Sequence, residues 1–145
     1  MAHADFPTGL CTIAEKLAND KTKQKDEAGQ TCIISYAGLA IGEMSYRNFS
    51  DSTAVIGIKI CDDRNQNQGL GKQILSLFIN AKFSKYNYKK IKLNTNLNNL
   101  RAQHVYEELG FRKTRVEIDS WKDQFGRLQS SVFYELFPCN FKSYI

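Results

Sequence analysis

The sequence lacks the features of several protein classes. No apolar run approaches the roughly 18 residues of a membrane-spanning helix, and the polar, charge-mixed start is unlike a signal peptide. The cysteines are widely scattered, with no Cys-x-x-Cys pair and no matching histidine cluster. We therefore expect no membrane association, no metal site, and free, buried thiols in a reducing cytoplasm. The four cysteines are Cys11, Cys32, Cys61 and Cys139.

The basic residues also lack a clustered pattern. The formal net charge is +5, but lysine and arginine are dispersed along the chain and form no stripe, so we expect no nucleic-acid partner. Repeats, low-complexity tracts and linkers are absent as well. The 145 residues, 42% of them hydrophobic and 24% charged, are typical of one globular domain with a substantial core.

Hydrophobic spacing predicts the order helix, three strands, helix, strand, helix and two strands. Leu10, Ile13, Ala14 and Leu17 recur at helical spacing and predict a first helix over residues 8–24. The other predicted helices cover residues 70–83 and a short segment that begins after Asn99. The predicted strands are residues 31–38, 39–48, 52–61, 89–96, 112–121 and 130–137. This order indicates a mixed α/β sheet with strand-helix-strand crossovers.

The two later helices carry clear local signals. Apolar residues at helical spacing, from Leu70 through Phe78, predict a well-buried face for the helix over 70–83. Asn99 is a suitable N-cap for the short helix, and Gly110 is a suitable left-handed terminator. Phe111 then supplies the hydrophobic contact beyond that glycine.

The stretch "CDDRNQNQGLGKQILSLF", residues 61–78, raises the question of phosphate binding. A P-loop requires a glycine at position 66 and Ser or Thr after Lys72, but the chain has Gln66 and Gln73. A dinucleotide fingerprint requires a third glycine, where this chain has Ile74. Two interpretations stay open: a plain turn, or a backbone cradle for an anion at a helix N-terminus.

This stretch resembles a motif of the GNAT superfamily of N-acetyltransferases. The segment "QNQGLG" is similar to the R/Q-x-x-G-x-G/A signature of that family. Asn99 followed by Ala102, Tyr106, Gly110 and Phe111 resembles a second family pattern, which follows the next strand. Within the superfamily, "GEMSYRN", the Ile-rich strand and the chain end "DSWKDQFGRLQSSVFYEL" look most similar to the branch that acetylates ribosomal-protein N-termini.

The resemblance implies a fold and a reaction. The fold is the acyl-CoA N-acyltransferase fold, with a central mixed β-sheet flanked by helices. Family members have a strand and a helix before the one assigned here to residues 8–24. We therefore expect one domain over 1–145 that is N-terminally short and lacks that first strand and helix. The reaction is acetyl transfer from acetyl-CoA, as cosubstrate, to an amine acceptor, either a protein N-terminus or a small molecule.

The resemblance also implies the cofactor site, which would lie between the strands "STAVIGIKIC" and "KKIKLNTN". Backbone groups of Lys59, Ile60 and Cys61 would pair with the pantetheine arm, and one N–H would stabilise the oxyanion. Asn99 would bond the same arm. The pyrophosphate would be held by Gln66, Asn67, Gln68, Gly69, Leu70 and Gly71, with Lys72 adding a charge.

The resemblance implies Tyr106 as a catalytic residue, and Glu43, on the strand before "STAVIGIKIC", is a second candidate. Tyr106 would stand at the thioester sulfur as general acid. Transfer of its proton to the thiolate is unfavourable, because a tyrosine has a pKa near ~10 and a thiol has a pKa near ~8.5. Hydrogen bonding to the thiolate is therefore at least as important. Glu43 could act as a base through water, or be only a solvated carboxylate.

The remaining polar residues near these motifs are interpreted as structural. Asp62 and Asp63 are expected in a turn and His104 on the surface, and Cys61 is not a convincing nucleophile beside two carboxylates. Two alternative functions stay open, a non-catalytic acyl-CoA-binding module and a structural or interaction domain. The chain could be a monomer or a homodimer.

Overall fold

A computed structural model of the chain describes residues 3–5, 12–16, 30–36, 39–49, 51–60 and 70–145. Within these ranges lie eight strands, two α-helices and a 3₁₀ turn at Pro138–Asn140. The helices are α1 (Leu70–Ser84) and α2 (Leu100–Glu108). The strands are β1 (His3–Asp5), β2 (Thr12–Lys16), β3 (Gln30–Tyr36), β4 (Leu39–Phe49), β5 (Thr53–Ile60), β6 (Lys90–Asn96), β7 (Arg112–Lys122) and β8 (Leu128–Leu136).

The eight strands form one mixed sheet in the order β1-β2-β3-β4-β5-β6-β8-β7. Every neighbouring pair is antiparallel except β5 and β6, which are parallel and are connected through α1. The predicted fold class, a mixed α/β sheet flanked by helices, is confirmed. Six of the strands and both later helices lie within one or two residues of the predicted ranges.

The helices pack on one face of this sheet and bury it. Alternate residues of four strands point to α1 and α2, and they are nearly inaccessible because each strand has one dry and one wet face. In β6, Ile91 and Leu93 are buried while Lys92 and Asn94 are exposed. The opposite face carries the exposed members of the same strands, including Glu43, Ser45 and Gly57, and we call it the far face.

The helix predicted over residues 8–24 is wrong for residues 12–16. Thr12–Lys16 forms β2, which pairs antiparallel with β3 through five residue pairs, from Thr12↔Ser35 to Lys16↔Thr31. Backbone pairing with β3 overrides a weak helical spacing, since propensity yields to tertiary context. Residues 17–24 lie outside the described ranges. The family's first strand and helix were expected to be missing, and the structure describes two short strands, β1 and β2, in this part of the chain.

The described cysteine corrects a second expectation. Cys139 is free, as predicted, but it is exposed rather than buried. It lies in the 3₁₀ turn near the C-terminus, where its Sγ lies 3.1 Å from the side-chain oxygen of Asn140. The thiols of Cys11, Cys32 and Cys61 fall on residues whose side chains are outside the description.

Candidate functional site

The central feature of the candidate site is the short pairing between β5 and β6. The two parallel strands pair only at Thr53↔Lys90, Ala54↔Ile91 and Val55↔Lys92. Beyond this point β5 continues for five more residues on β4, whereas β6 continues on β8. The two strands therefore open into a V whose vertex lies at Val55 and Lys92.

Along the V, one side of β5 has backbone groups without a strand partner among the described residues. Lys59 and Ile60 pair with Glu43 and Gly42 of β4 on their other side. Backbone N–H and C=O groups require partners, so this side of β5 is suited to an extended ligand that adds to the sheet as a strand would. Lys59 and Ile60 belong to this part of β5, and Cys61 lies outside the described residues. The contacts of all three with a pantetheine arm stay a prediction.

Helix α1 connects β5 to the parallel strand β6, so its N-terminus lies at the end of the sheet where β5 ends, which is the end towards which the V opens. Leu70, Gly71 and Lys72 form its first turn, whose N–H groups have no partner within the helix. That turn carries no acidic residue, so nothing in it neutralises the positive end of the helix dipole. The predicted cradle residues Gln66, Asn67, Gln68 and Gly69 lie outside the described residues, and their role stays a prediction.

Lys72 contacts α2 and the C-terminal segment. Its Nζ lies 3.2 Å from Oε2 of Glu108 and 4.1 Å from the ring centroid of Tyr144. The Tyr144 N–H donates to Ser76 Oγ in α1, and its hydroxyl donates to the Glu108 carbonyl. Lys72 therefore joins both helices to the C-terminal segment, a contact that the sequence did not indicate. Whether Lys72 also binds phosphate stays a prediction.

Asn99 caps α2, as predicted. Its Oδ1 accepts a hydrogen bond from the Ala102 N–H at 3.2 Å, and its Nδ2 donates to Thr95 Oγ1 at 3.4 Å. Since Thr95 is near the end of β6, these two contacts attach the start of α2 to the strand that forms one arm of the V. If Asn99 also bonds a pantetheine arm, as predicted, its side-chain amide must do so while it contacts Ala102 and Thr95.

Tyr106 lies on the buried side of α2, facing the sheet. Its ring makes edge contacts with Phe111 and Tyr134, each at 5.8 Å between centroids, and only 7% of the residue is exposed. Its hydroxyl makes no hydrogen bond with any described residue. Burial raises the pKa of Tyr106, which makes proton donation harder and leaves hydrogen bonding as the better role.

Gly110 terminates α2, and the turn at this glycine is hydrogen-bonded to the backbone of Tyr106. Its φ is +100°, the left-handed conformation expected of a terminating glycine, and the Phe111 N–H donates to the Tyr106 carbonyl at 3.0 Å. Phe111 is buried against the same cluster. These observations confirm the predicted cap and its hydrophobic contact.

Glu43 lies apart from Tyr106, on the far face. It occupies β4, opposite Lys59, and its side chain is exposed. Helix α2 and Tyr106 are on the other side of the sheet, so the two predicted catalytic residues approach the V from opposite faces. His104 is exposed, as predicted, with Nε2 3.5 Å from Glu108 Oε1.

The sequence did not predict a lysine buried among aromatic rings. Lys82 is 2% exposed, and its Nζ lies 3.2 Å from the ring centroid of Tyr46 and 4.4 Å from that of Tyr86. Phe78 and Tyr88 complete this cage. The sequence contains an indication of this burial. Lys82 follows Phe78 by four residues, so it lies on the same apolar face of α1.

Comparison with known proteins identifies the family. The model of the acetyltransferase (GNAT) family matches residues 4–111. The match covers more than half of the chain and includes the strands of the V and the starts of both helices. The chain belongs to the acetyltransferase (GNAT) family, and the resemblance inferred from "QNQGLG" and the Asn99–Phe111 pattern is confirmed at that level.

Solved structures support the same fold. A spermidine N-acetyltransferase from Vibrio cholerae in complex with CoA and spermine has a TM-score of 0.71 at 23% identity, covering 80% of this chain and 69% of that one. A protein described as a probable acetyltransferase has a TM-score of 0.70 at 20% identity, covering 77% of this chain and 63% of that one. The chain thus spans about two thirds of these neighbours' lengths. No curated protein matches the chain.

Over the described ranges, neither α1 nor α2 is both long and apolar enough to cross a membrane. No group of three or more metal-ligating side chains lies together among the residues with described positions. The family match makes this chain a domain of the acetyltransferase (GNAT) family.

Proposed function

We propose that the protein transfers the acetyl group of acetyl-CoA to a primary amine by direct attack in a ternary complex. The observation that carries the proposal is the V between β5 and β6, which has a helix N-terminus at its open end. This combination provides backbone partners for an extended arm and N–H groups for a pyrophosphate. Both needs belong to one ligand, acetyl-CoA.

In this proposal, residues 66–71 hold the pyrophosphate, and β5 from Gly57 to Ile60 pairs with the pantetheine arm. A backbone N–H of this segment donates to the thioester oxygen and stabilises the negative charge that develops there. Removal of one such donor typically slows an acyl transfer by about 100-fold or more.

The chemical step forms a C–N bond and breaks the C–S bond. The neutral amine attacks the thioester carbonyl, and the thiolate of CoA leaves. Tyr106 donates a hydrogen bond to that thiolate. Glu43, through water, takes the proton that the amine releases. An α-amine with a pKa near ~8 needs little help from a base at neutral pH, whereas a lysine near ~10.4 needs a base.

The acceptor is proposed only as a class: a protein N-terminus or a small-molecule amine. Resemblance to the ribosomal-protein branch favours the first, and the spermine complex of the Vibrio cholerae neighbour favours the second. Neighbours below a quarter identity share the fold, and substrate loops vary on a shared fold. A cytoplasmic location, and a monomer or homodimer, complete the proposal.

Two measurements test the proposal. Calorimetry with CoA should show binding, and Gly69→Val should abolish it, since a β-branched residue would block the approach of backbone to pyrophosphate. Thiol release from acetyl-CoA should then rise above background when peptides or small amines are added. Binding without acceptor-dependent release would leave an acyl-CoA-binding module. Absence of binding would contradict the cradle itself.

A further inference from the structure

Two cations flank the vertex of the V on the far face. Arg47 of β4 and Lys92 of β6 both pair with Val55 of β5, one from each side, so the three side chains point the same way. Both cations are exposed. Strands are about 4.8 Å apart, which places the two backbone positions roughly 10 Å from each other across the vertex.

Neither cation forms an ion pair with the described residues around it. By contrast, two other basic residues of the far face are paired: Lys90 Nζ lies 3.7 Å from Glu135, and Arg115 Nε lies 3.0 Å from Glu117. Arg47 and Lys92 form no ion pair and no hydrogen bond through their side chains with any residue the structure describes. Glu135 of β8 lies opposite Lys92 on the same face, but its ion pair is with Lys90, and Arg112 of β7 lies opposite it on the other side. Positive charge is therefore in excess around the vertex.

In the proposed function, the far face is the side on which a second substrate would reach the V, because α1, α2 and the core cover the other face. Glu43 lies on the far face too, four residues from Arg47 along β4, about 13 Å away in an extended strand. The approach is thus bipolar, with a carboxylate towards the open end and two cations at the vertex.

From this arrangement we infer that the acceptor is a primary amine that also carries an anionic group, a carboxylate or a phosphate. The inference rests on the proposed acetyltransferase function and specifies its substrate class. The ammonium of such an acceptor would approach Glu43, while its anionic group would approach Arg47 and Lys92. A polyamine would bring positive charge to the same vertex, which like-charge repulsion disfavours.

A matched set of acceptors tests the inference by thiol release. Hexylamine, 1,6-diaminohexane, 6-aminohexanoate and 6-aminohexyl phosphate share the same reacting aminohexyl group and differ at the far end, and kcat/KM of the symmetric diamine is counted per amino group. We expect the carboxylate or the phosphate to exceed hexylamine in kcat/KM by about two- to thirtyfold, since two exposed ion pairs are involved. The diamine should fall below hexylamine. The better of the two anionic acceptors identifies the chemistry of the group.

The double variant Arg47→Gln/Lys92→Gln should remove this preference while acetyl-CoA binding, measured by calorimetry, is retained. Arg101→Gln is the matched control: Arg101 is an exposed cation on α2, on the opposite side of the sheet, and its loss should leave the preference unchanged. Raising the salt concentration to about 0.5 M should weaken the preference of the unaltered protein.

Four outcomes overturn the inference. Equal kcat/KM for all four amines, or a preference for the diamine, contradicts it while leaving the acetyltransferase function intact. A preference that survives in the double variant excludes Arg47 and Lys92 as its cause. Thiol release that stays at the acceptor-free rate with every amine, despite CoA binding, contradicts the proposed function and the inference together.

Discussion

Replacing Gly110 by alanine should destabilise the protein much more than the same change at Gly126. Both glycines have positive φ, +100° and +74°. At Gly126 an added Cβ would meet no described atom within 4 Å, but at Gly110 it would lie 1.9 Å from the carbonyl oxygen of Asn140. Because the obstacle is backbone, it cannot move aside by a side-chain rotation. The two variants therefore separate the cost of the conformation from the cost of the contact.

The expected magnitudes follow from these geometries. An L-residue in the left-handed conformation costs roughly 1–2 kcal/mol, and Gly126→Ala should show only this loss. At Gly110 the 3₁₀ turn must also shift, which carries an overpacking cost of about 1–3 kcal/mol. That shift endangers the hydrogen bond from the Lys142 N–H to the Leu109 carbonyl, at 3.0 Å, worth about 1 kcal/mol more. The excess at Gly110 is therefore about 2–4 kcal/mol.

Urea unfolding and thermal melting measure this difference directly. For a chain of this size, about 2–4 °C of melting temperature corresponds to 1 kcal/mol, so Gly110→Ala should melt roughly 4–16 °C below Gly126→Ala. Circular dichroism before melting confirms that both variants are folded. Equal losses at the two sites would refute the argument, because they would mean that the C-terminal segment does not lie against the end of α2.

Three further predictions concern the rings and the lysine that surround the site. Tyr106→Phe should lower kcat with little change in CoA affinity, and an unchanged kcat would remove this tyrosine from the mechanism. Burial, and then the nearby Glu107 carboxylate, raise the pKa of Tyr134 to about 12, so the folded protein keeps a proton that the unfolded chain loses near ~10. Stability should therefore fall as pH rises from about 10 to 12, and Tyr134→Phe should flatten that fall in urea titrations at each pH. A double-mutant cycle of Lys82→Met and Tyr46→Leu should give a coupling of about 2 kcal/mol by urea unfolding, the range of a desolvated cation–π contact, whereas independent effects would exclude that contact as a stabilising one.

Local signals in the sequence predicted most of the elements. The alternation of apolar and polar residues in "KKIKLNTN" predicted β6, and Asn99 and Gly110 predicted the two ends of α2. These predictions were possible because caps and period-two patterns depend on only a few neighbouring residues. The helix over residues 8–24 failed where Thr12–Lys16 pairs with β3. Pairing with a strand about 20 residues away is not encoded in the spacing of Ile13 and Ala14.

The sequence predicted the motifs of the candidate site but not the contacts that their residues make with distant parts of the chain. Lys72 was expected to face phosphate, and its partners in the structure, Glu108 and Tyr144, come from positions 36 and 72 residues later. Arg47 and Lys92 are brought together only by the register of three strands. Such juxtapositions depend on long-range pairing, which no single window of sequence contains.

Because the pairing between β5 and β6 ends early, β5 has unpaired backbone groups like those of an edge strand, although it lies in the middle of the sheet. From Ile56 onward, backbone amides in the middle of an eight-stranded sheet face an opening rather than a neighbouring strand of the described sheet. Unpaired strand edges are normally found at the margin of a sheet, where they invite other strands. In hydrogen exchange, the amides that face the V should therefore exchange faster than those of β4, despite their central position. A ligand that pairs along β5 should slow them, so the sheet would be completed only when its substrate is bound.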